Sequence, residues 1–127
     1  VSALARWFLA KNWLVSGSDL VRSAITRELT KEGARVKIGH RKANLPRKLD
    51  MVVYSPAIRP DNPELMEAKR RGLKPLSYPS TIGCLTEAYT TVAVAGSHGK
   101  STTTSMIGLI LRKAGYDPNI IVGTKLR

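Results

Sequence analysis

Cysteine is all but absent. Cys84 stands alone, so no internal disulfide can staple the chain, and the usage fits a reducing, cytoplasmic compartment. For that residue a small, semi-buried packing role is expected. Acidic residues are scarce as well, nine against 21 lysines and arginines, for a net charge of +12. Such a balance attracts polyanions: nucleic acid, anionic membrane or phosphorylated small molecules. Long apolar runs are missing too. The most apolar helical stretches are broken by Arg6, Lys11, Arg112 and Lys113, which excludes a membrane-spanning helix. The opening VSALARWFLAKNW has no charged segment ahead of its apolar part and no small-residue cleavage site, so it does not read as a signal peptide. The basic clusters RKANLPRK (41–48) and KRR (69–71) have few aromatics between them. The second falls where a helix should end and cations complement exposed carbonyls. The expected partners are therefore phosphorylated small molecules, with no nucleic acid and no membrane.

What is present is enough for one domain, or for one domain plus part of another: 127 residues, 43% of them hydrophobic. The chain starts at Val1 inside a helical pattern and stops at Arg127 just after an apolar run, so it reads as a stretch of a longer protein.

Its organisation is an alternation. Helical spacing over 3–11 places Leu4, Trp7 and Phe8 on one face, and NWLVSGSD (12–19) gives a strand ending in small polar residues. A helix over 22–32 has Ile25 and Leu29 on one side and Gly33 as its stop; ARVKIGH (34–40) is a strand, followed by a basic loop. LDMVVYS (49–55) is a continuous apolar run of the kind covered on both faces. DNPELMEAKRRG (61–72) carries full helix punctuation: Asn62 as N-cap, Pro63 at the first position, Glu64 and Glu67 early, cations late, Gly72 after. KPLSY (74–78) predicts a strand, 80–89 a short helix, TTVAVAG (90–96) another strand. Residues 100–113 form a helix with Met106, Ile107, Ile110 and Leu111 inward, and IIVG (120–123) opens a further element.

Strands alternating with helices imply an α/β fold with a parallel sheet, in which ligands approach the carboxyl ends of the strands. The residues there are Ser16, Gly17, Ser18 and Asp19; Gly39 and His40; Ser55, Pro56 and Ala57; and Gly96 to Ser101. They are small, polar and glycine-rich. In GSHGKS (96–101), glycines let successive N–H groups turn inward, the following helix adds its positive end, Lys100 supplies a charge, and Ser101 offers Mg²⁺ a hard oxygen. This is a phosphate cradle. The general pattern G-x-x-x-x-G-K-[ST] would place glycine at position 94, where this chain has Val94. A tight strand-to-helix turn with a solvated lysine is the plainer alternative. His98 is either a base or metal ligand, or a loop residue that contributes only its N–H.

AVAGSHGKSTTTSM, with AGYDPN and an apolar run after it, resembles the nucleotide loop of the Mur ligases, the ATP-dependent ligases of peptidoglycan precursor synthesis, a family whose loop lacks the first glycine. SALARWF, VSGSDL, KIGH and VVYSPAIRPDNPEL resemble its first domain in order and spacing. The resemblance covers nearly the whole chain. It implies a Rossmann-like domain over 1–89, without its first strand and glycine-rich loop, holding the UDP part of UDP-N-acetylmuramate through Ser18, Asp19, His40, Ser55, Pro56 and Ala57. It also implies the start of a P-loop ATPase domain over 90–127, where Gly96, Ser97, His98, Gly99, Lys100, Ser101 and Thr102 bind ATP. Lys100 would then be catalytic and Ser101 would hold Mg²⁺. Within the family, SGSD, YSPAI and SHGKS point to the member that joins L-alanine to UDP-N-acetylmuramate through an acyl phosphate. The chain alone is expected to be inactive. Rivals are a family member that attaches a whole peptide, a P-loop nucleic-acid-associated ATPase and a non-enzymatic nucleotide sensor.

Overall fold

The computed structural model describes residues 1–122. The chain divides into two compact units, Val1–Ala88 and Tyr89–Arg127.

The first unit opens with helix α1 (Ser2–Ala10), whose Leu4 is buried while Trp7 and Phe8 meet edge to face with ring centroids 5.0 Å apart. Asn12 turns the chain out of α1 at φ 62°, a left-handed geometry that asparagine tolerates better than most residues. That turn delays the first strand. Trp13 and Leu14 are exposed, and β1 covers only Ser16–Asp19 of the predicted 12–19. Helix α2 (Ala24–Lys31) starts on a reciprocal cap: the Ser23 hydroxyl accepts from Thr26 N–H, and Thr26 Oγ1 accepts from Ser23 N–H. Its buried face is Thr26 and Leu29, whereas Ile25, expected beside Leu29, is exposed. Arg6 of α1 forks to two glutamates one turn apart on α2, with Nη2 at 2.9 Å from Glu28 and Nε at 2.8 Å from Glu32.

Strand β2 (Arg35–Ile38) pairs with β1 in parallel, Ser16 opposite Arg35 and Asp19 opposite Ile38. A 3₁₀ turn (Lys42–Asn44) follows. Strand β3 (Val53–Tyr54) is the ordered core of the predicted 49–55 run, and it pairs in parallel with β4 (Leu76–Ser77). Both are half-buried rather than covered on both faces. Between them lies helix α3 (Pro63–Arg70), where Asn62 Oδ1 accepts from the N–H groups of Glu64 and Leu65, and Leu65 and Ala68 are buried. Helix α4 (Tyr78–Glu87) begins two residues ahead of its predicted start, because Ser77 caps it through Ser80 N–H. Cys84 is exposed, not semi-buried.

The parallel pairing expected from the alternation is present, but among the described residues it forms two separate two-stranded ladders, β1–β2 and β3–β4, rather than one sheet. The ladder bonds decide strand length: β3 and β4 are ordered only where each faces the other.

In the second unit, helix α5 covers Lys100–Lys113 as predicted. The strand expected over 90–96 is not formed. Among the described residues that segment has no ladder partner, and Val92 is exposed. The inward face of α5 also differs. Met106 and Ile110 are exposed, while Gly108 is buried because Ile120 lies against it, so close that a Cβ there would sit 2.4 Å from Ile120 Cδ1. Residues 120–122 form no regular element, and Gly123 of the predicted IIVG element lies outside the described residues.

Candidate functional site

The carboxyl ends of β1 and β2 gather a polar cluster. Parallel register makes both strands leave at one edge, and Gly39 N–H donates to the Asp19 carbonyl at 2.8 Å, extending the ladder one step past Ile38. Gly39 then turns at φ 83°, a conformation that favours glycine, and delivers His40 beside Ser18. Ser18 Oγ lies 2.9 Å from His40 Nδ1 and donates to Glu64 Oε2 at 2.7 Å. Glu64 comes from the first turn of α3, set there by the Asn62 cap and Pro63. Its Oε1 accepts from Asn44 Nδ2 at 2.8 Å and from the Arg41 N–H at 3.1 Å, and lies 3.7 Å from His40 Nδ1. The side chains of His40 and Glu64 are only 15% and 16% exposed. Asn44 Nδ2 also reaches the Gly39 carbonyl at 2.8 Å, closing the turn after β2. Asp19 is exposed at the same edge, its Oδ1 accepting weakly from Val21 N–H at 3.4 Å.

Ser55, Pro56 and Ala57 follow β3 in a tight turn, in which Ser55 Oγ accepts from Ala57 N–H at 3.3 Å and the Ser55 carbonyl from Ile58 N–H at 2.9 Å. Pro56 lines a cleft of about 490 Å³ with Tyr54, Ile58, Pro60, Leu65, Lys69 and Ser77. The predicted site residues of this unit thus fall into two groups. Ser18 and His40 share the bonded cluster, Pro56 faces the cleft, and Ser55 spends its hydroxyl on its own turn. Helix α3 adjoins both, through Glu64 on one side and Leu65 on the other.

The second unit carries the glycine loop. Gly96 and Gly99 take φ 151° and 74°, so both need glycine, and Gly99 serves as N-cap of α5 without any side-chain cap. The first N–H groups of α5 are therefore left for an external acceptor. Lys100 folds back over the loop, its ammonium donating to the carbonyls of Gly96 and Ser97. Thr104 and Ser105 return their hydroxyls to the carbonyls of Lys100 and Ser101, whereas those of Ser101 and Thr102 have no partner among the described residues. Ser97 and His98 are exposed. Exposed N–H groups at a helix start, a cation and two open hydroxyls make a donor set that fits a polyphosphate with a hard cation.

Glu64 and Asn44 were not singled out as site residues by sequence reasoning. Glu64 reads as an ordinary first-turn acid and Asn44 as part of a basic loop; no spacing rule links positions 18, 40, 44 and 64.

The first unit is thus a parallel α/β unit with a polar cluster at its strand ends, and the second carries a glycine loop that opens a long helix. The family model described as the Mur ligase family, catalytic domain, matches residues 1–90, and the chain belongs to that family. The match ends short of the glycine loop, whose likeness rests on individual relatives. The UDP-N-acetylmuramate--L-alanine ligase of Sorangium cellulosum is 48% identical over 99% of this chain and 27% of its own length; that of Aquifex aeolicus is 43% identical over 100% and 28%. The crystal structure of the UDP-N-acetylmuramate-alanine ligase of Thermotoga maritima is similar to 90% of this chain with TM-score 0.81 and 28% identity, covering 27% of that chain. This chain therefore spans about a quarter of the length of the relatives it matches.

Proposed function

We propose that this chain is the UDP-binding and phosphate-gripping part of a ligase that joins L-alanine to UDP-N-acetylmuramate. The observation that carries the reading is the 48% identity to an enzyme of that name along 99% of the chain, through both the strand-end cluster and the glycine loop. Support comes from the geometry: Ser18, Asp19 and His40 stand where ligands of parallel sheets approach, and α5 opens on Gly99 without a side-chain cap. The domain roles follow. Residues 1–89 hold the UDP moiety, with Ser55, Pro56 and Ala57 bordering it on the far side of α3, and 90–127 begin the ATP-binding domain. The two ladders are proposed to be halves of one parallel sheet joined by a strand from outside this chain.

ATP supplies the phosphoryl group that turns the muramoyl carboxylate into an acyl phosphate open to the amine of L-alanine. The residues of this chain do the holding. The N–H groups of Gly96 to Gly99 and the start of α5 cradle the phosphates, Thr102 adds a hydroxyl, Ser101 would hold Mg²⁺, and Lys100 neutralises charge that grows during transfer. Lys100 reaches outward by exchanging the neutral Gly96 and Ser97 carbonyls for an anionic and therefore stronger partner, a phosphate oxygen.

Calorimetric titration tests the reading. UDP should bind the intact protein and lose affinity on Asp19→Ala. Absence of UDP binding, or binding indifferent to Asp19→Ala and His40→Ala together, would remove the strand-end assignment.

A further inference from the structure

We propose that Glu64 is a positioning residue: through the Ser18 hydroxyl it holds His40 with the proton on Nδ1, presenting Nε2 as a hydrogen-bond acceptor to the nucleoside of UDP. The nucleoside half of this rests on the UDP reading above; the proton arrangement does not.

Ser18 Oγ has one proton and two neighbours, Glu64 Oε2 at 2.7 Å and His40 Nδ1 at 2.9 Å. A carboxylate only accepts, and the other oxygen of Glu64 is taken by Asn44 Nδ2 and the Arg41 N–H. The hydroxyl proton is thus committed to Glu64, and Ser18 Oγ accepts from His40, whose Nδ1 carries the hydrogen. In a neutral imidazole that leaves Nε2 a bare lone pair. His40 Nε2 has no partner among the described residues, and no buried side-chain polar atom there lacks one, so Nε2 reaches solvent. It does so at the strand end where Asp19 also stands exposed. Asp19 accepts too, so the pair is matched to donors, and a nucleoside offers two kinds: the imide N–H of uracil and the ribose hydroxyls.

The relay also fixes what Glu64→Gln does. Asn44 and Arg41 keep hold of the single amide oxygen, which turns the NH₂ toward Ser18. Ser18 then donates to His40, and the imidazole proton moves to Nε2. A donor would now face a donor, and UDP affinity should fall about tenfold or more, the worth of a net hydrogen bond and beyond.

Nitrogen-15 NMR of the imidazoles in the 127-residue chain reads this directly, with His98 the one other histidine to assign. The expected result is Nδ1–H for His40 in the unsubstituted chain and Nε2–H in Glu64→Gln and in Ser18→Ala. A proton on Nε2 in the unsubstituted chain overturns the proposal, whether or not either variant folds, and so does a Glu64→Gln spectrum unchanged at His40. Titrations with N3-methyl-UDP and 2′,3′-dideoxy-UDP identify the donor as the one whose removal abolishes sensitivity to Glu64→Gln. Sensitivity kept by both would overturn the acceptor role. If UDP does not bind at all, the functional reading fails while the spectrum still decides the proton arrangement.

Discussion

Lys100 carries the only formal charge in the stretch 96–101, and its ammonium is spent on the carbonyls of its own loop. Nothing in the fold of α5 needs that arrangement, so the Lys100→Ala variant should keep its helix while turnover of the intact protein falls about 10²–10³-fold, the usual cost of removing a charge-stabilising donor. Circular dichroism beside a phosphate-release assay separates the two effects. Gly99 is the opposite case. With φ at 74°, Gly99→Ala should strain the loop by about 1–2 kcal/mol, visible as faster amide exchange over the first turn of α5. At this scale the sequence was informative where a general rule applied. Strand ends and a glycine-lysine loop announce themselves, so Ser18, His40 and Lys100 were legible. Glu64 was not, because its bond to Ser18 spans 46 residues and depends on how α3 is laid across the ends of β1 and β2.

Helix α3 shows what an element can be made to reveal. Asn62 Oδ1 satisfies the N–H groups of Glu64 and Leu65 and is itself buried, so Asn62→Ala should cost about 1 kcal/mol or somewhat more, measured as a lower urea midpoint. Because Glu64 sits in the capped turn, the same change should loosen the Ser18–His40 cluster. Farther along, Glu67 takes Arg70 at 2.7 Å and Arg71 at 2.7 Å, and Arg71 also donates to the Pro46 carbonyl, pinning α3 to the basic loop. Hydrogen bonds from Arg70 and Arg71 hold the Glu67 carboxyl down at about 2, against 4.5 for an unperturbed glutamate. The folded chain therefore binds this proton less readily than the unfolded one. Its contribution to stability is complete above about pH 4.5 and drains away as pH falls toward about 2. Glu67→Gln should flatten the acid limb of the stability profile, and an unchanged limb would mean the clamp contributes nothing. Helix limits were readable because caps and stops are local: α3 and α5 fall where Asn62, Gly72 and Gly99 put them. Strand lengths were not, because they depend on partners far along the chain. The apolar run 90–96 has the composition of a strand and, among the described residues, no neighbour to pair with.

For the whole molecule the net charge of +12 invites a polyanion reading, and only four of the first unit's 16 lysines and arginines are paired with its own carboxylates, Arg6 with Glu28 and Glu32, Arg59 with Asp61, Arg70 and Arg71 with Glu67. No helix among the described residues is long and apolar enough to cross a membrane. UDP should bind and duplex DNA should not; DNA binding that weakens steeply with salt, with no binding of UDP, would favour the ATPase alternative. Because the chain spans about a quarter of its relatives, the purified 127 residues should release no phosphate in response to L-alanine. The decisive measurement is phosphate release by the intact protein supplied with UDP-N-acetylmuramate, ATP and magnesium, with and without L-alanine, beside its Lys100→Ala variant. Release that requires L-alanine and is lost on Lys100→Ala is the predicted result. Release indifferent to L-alanine, or full turnover without the lysine, would contradict the account.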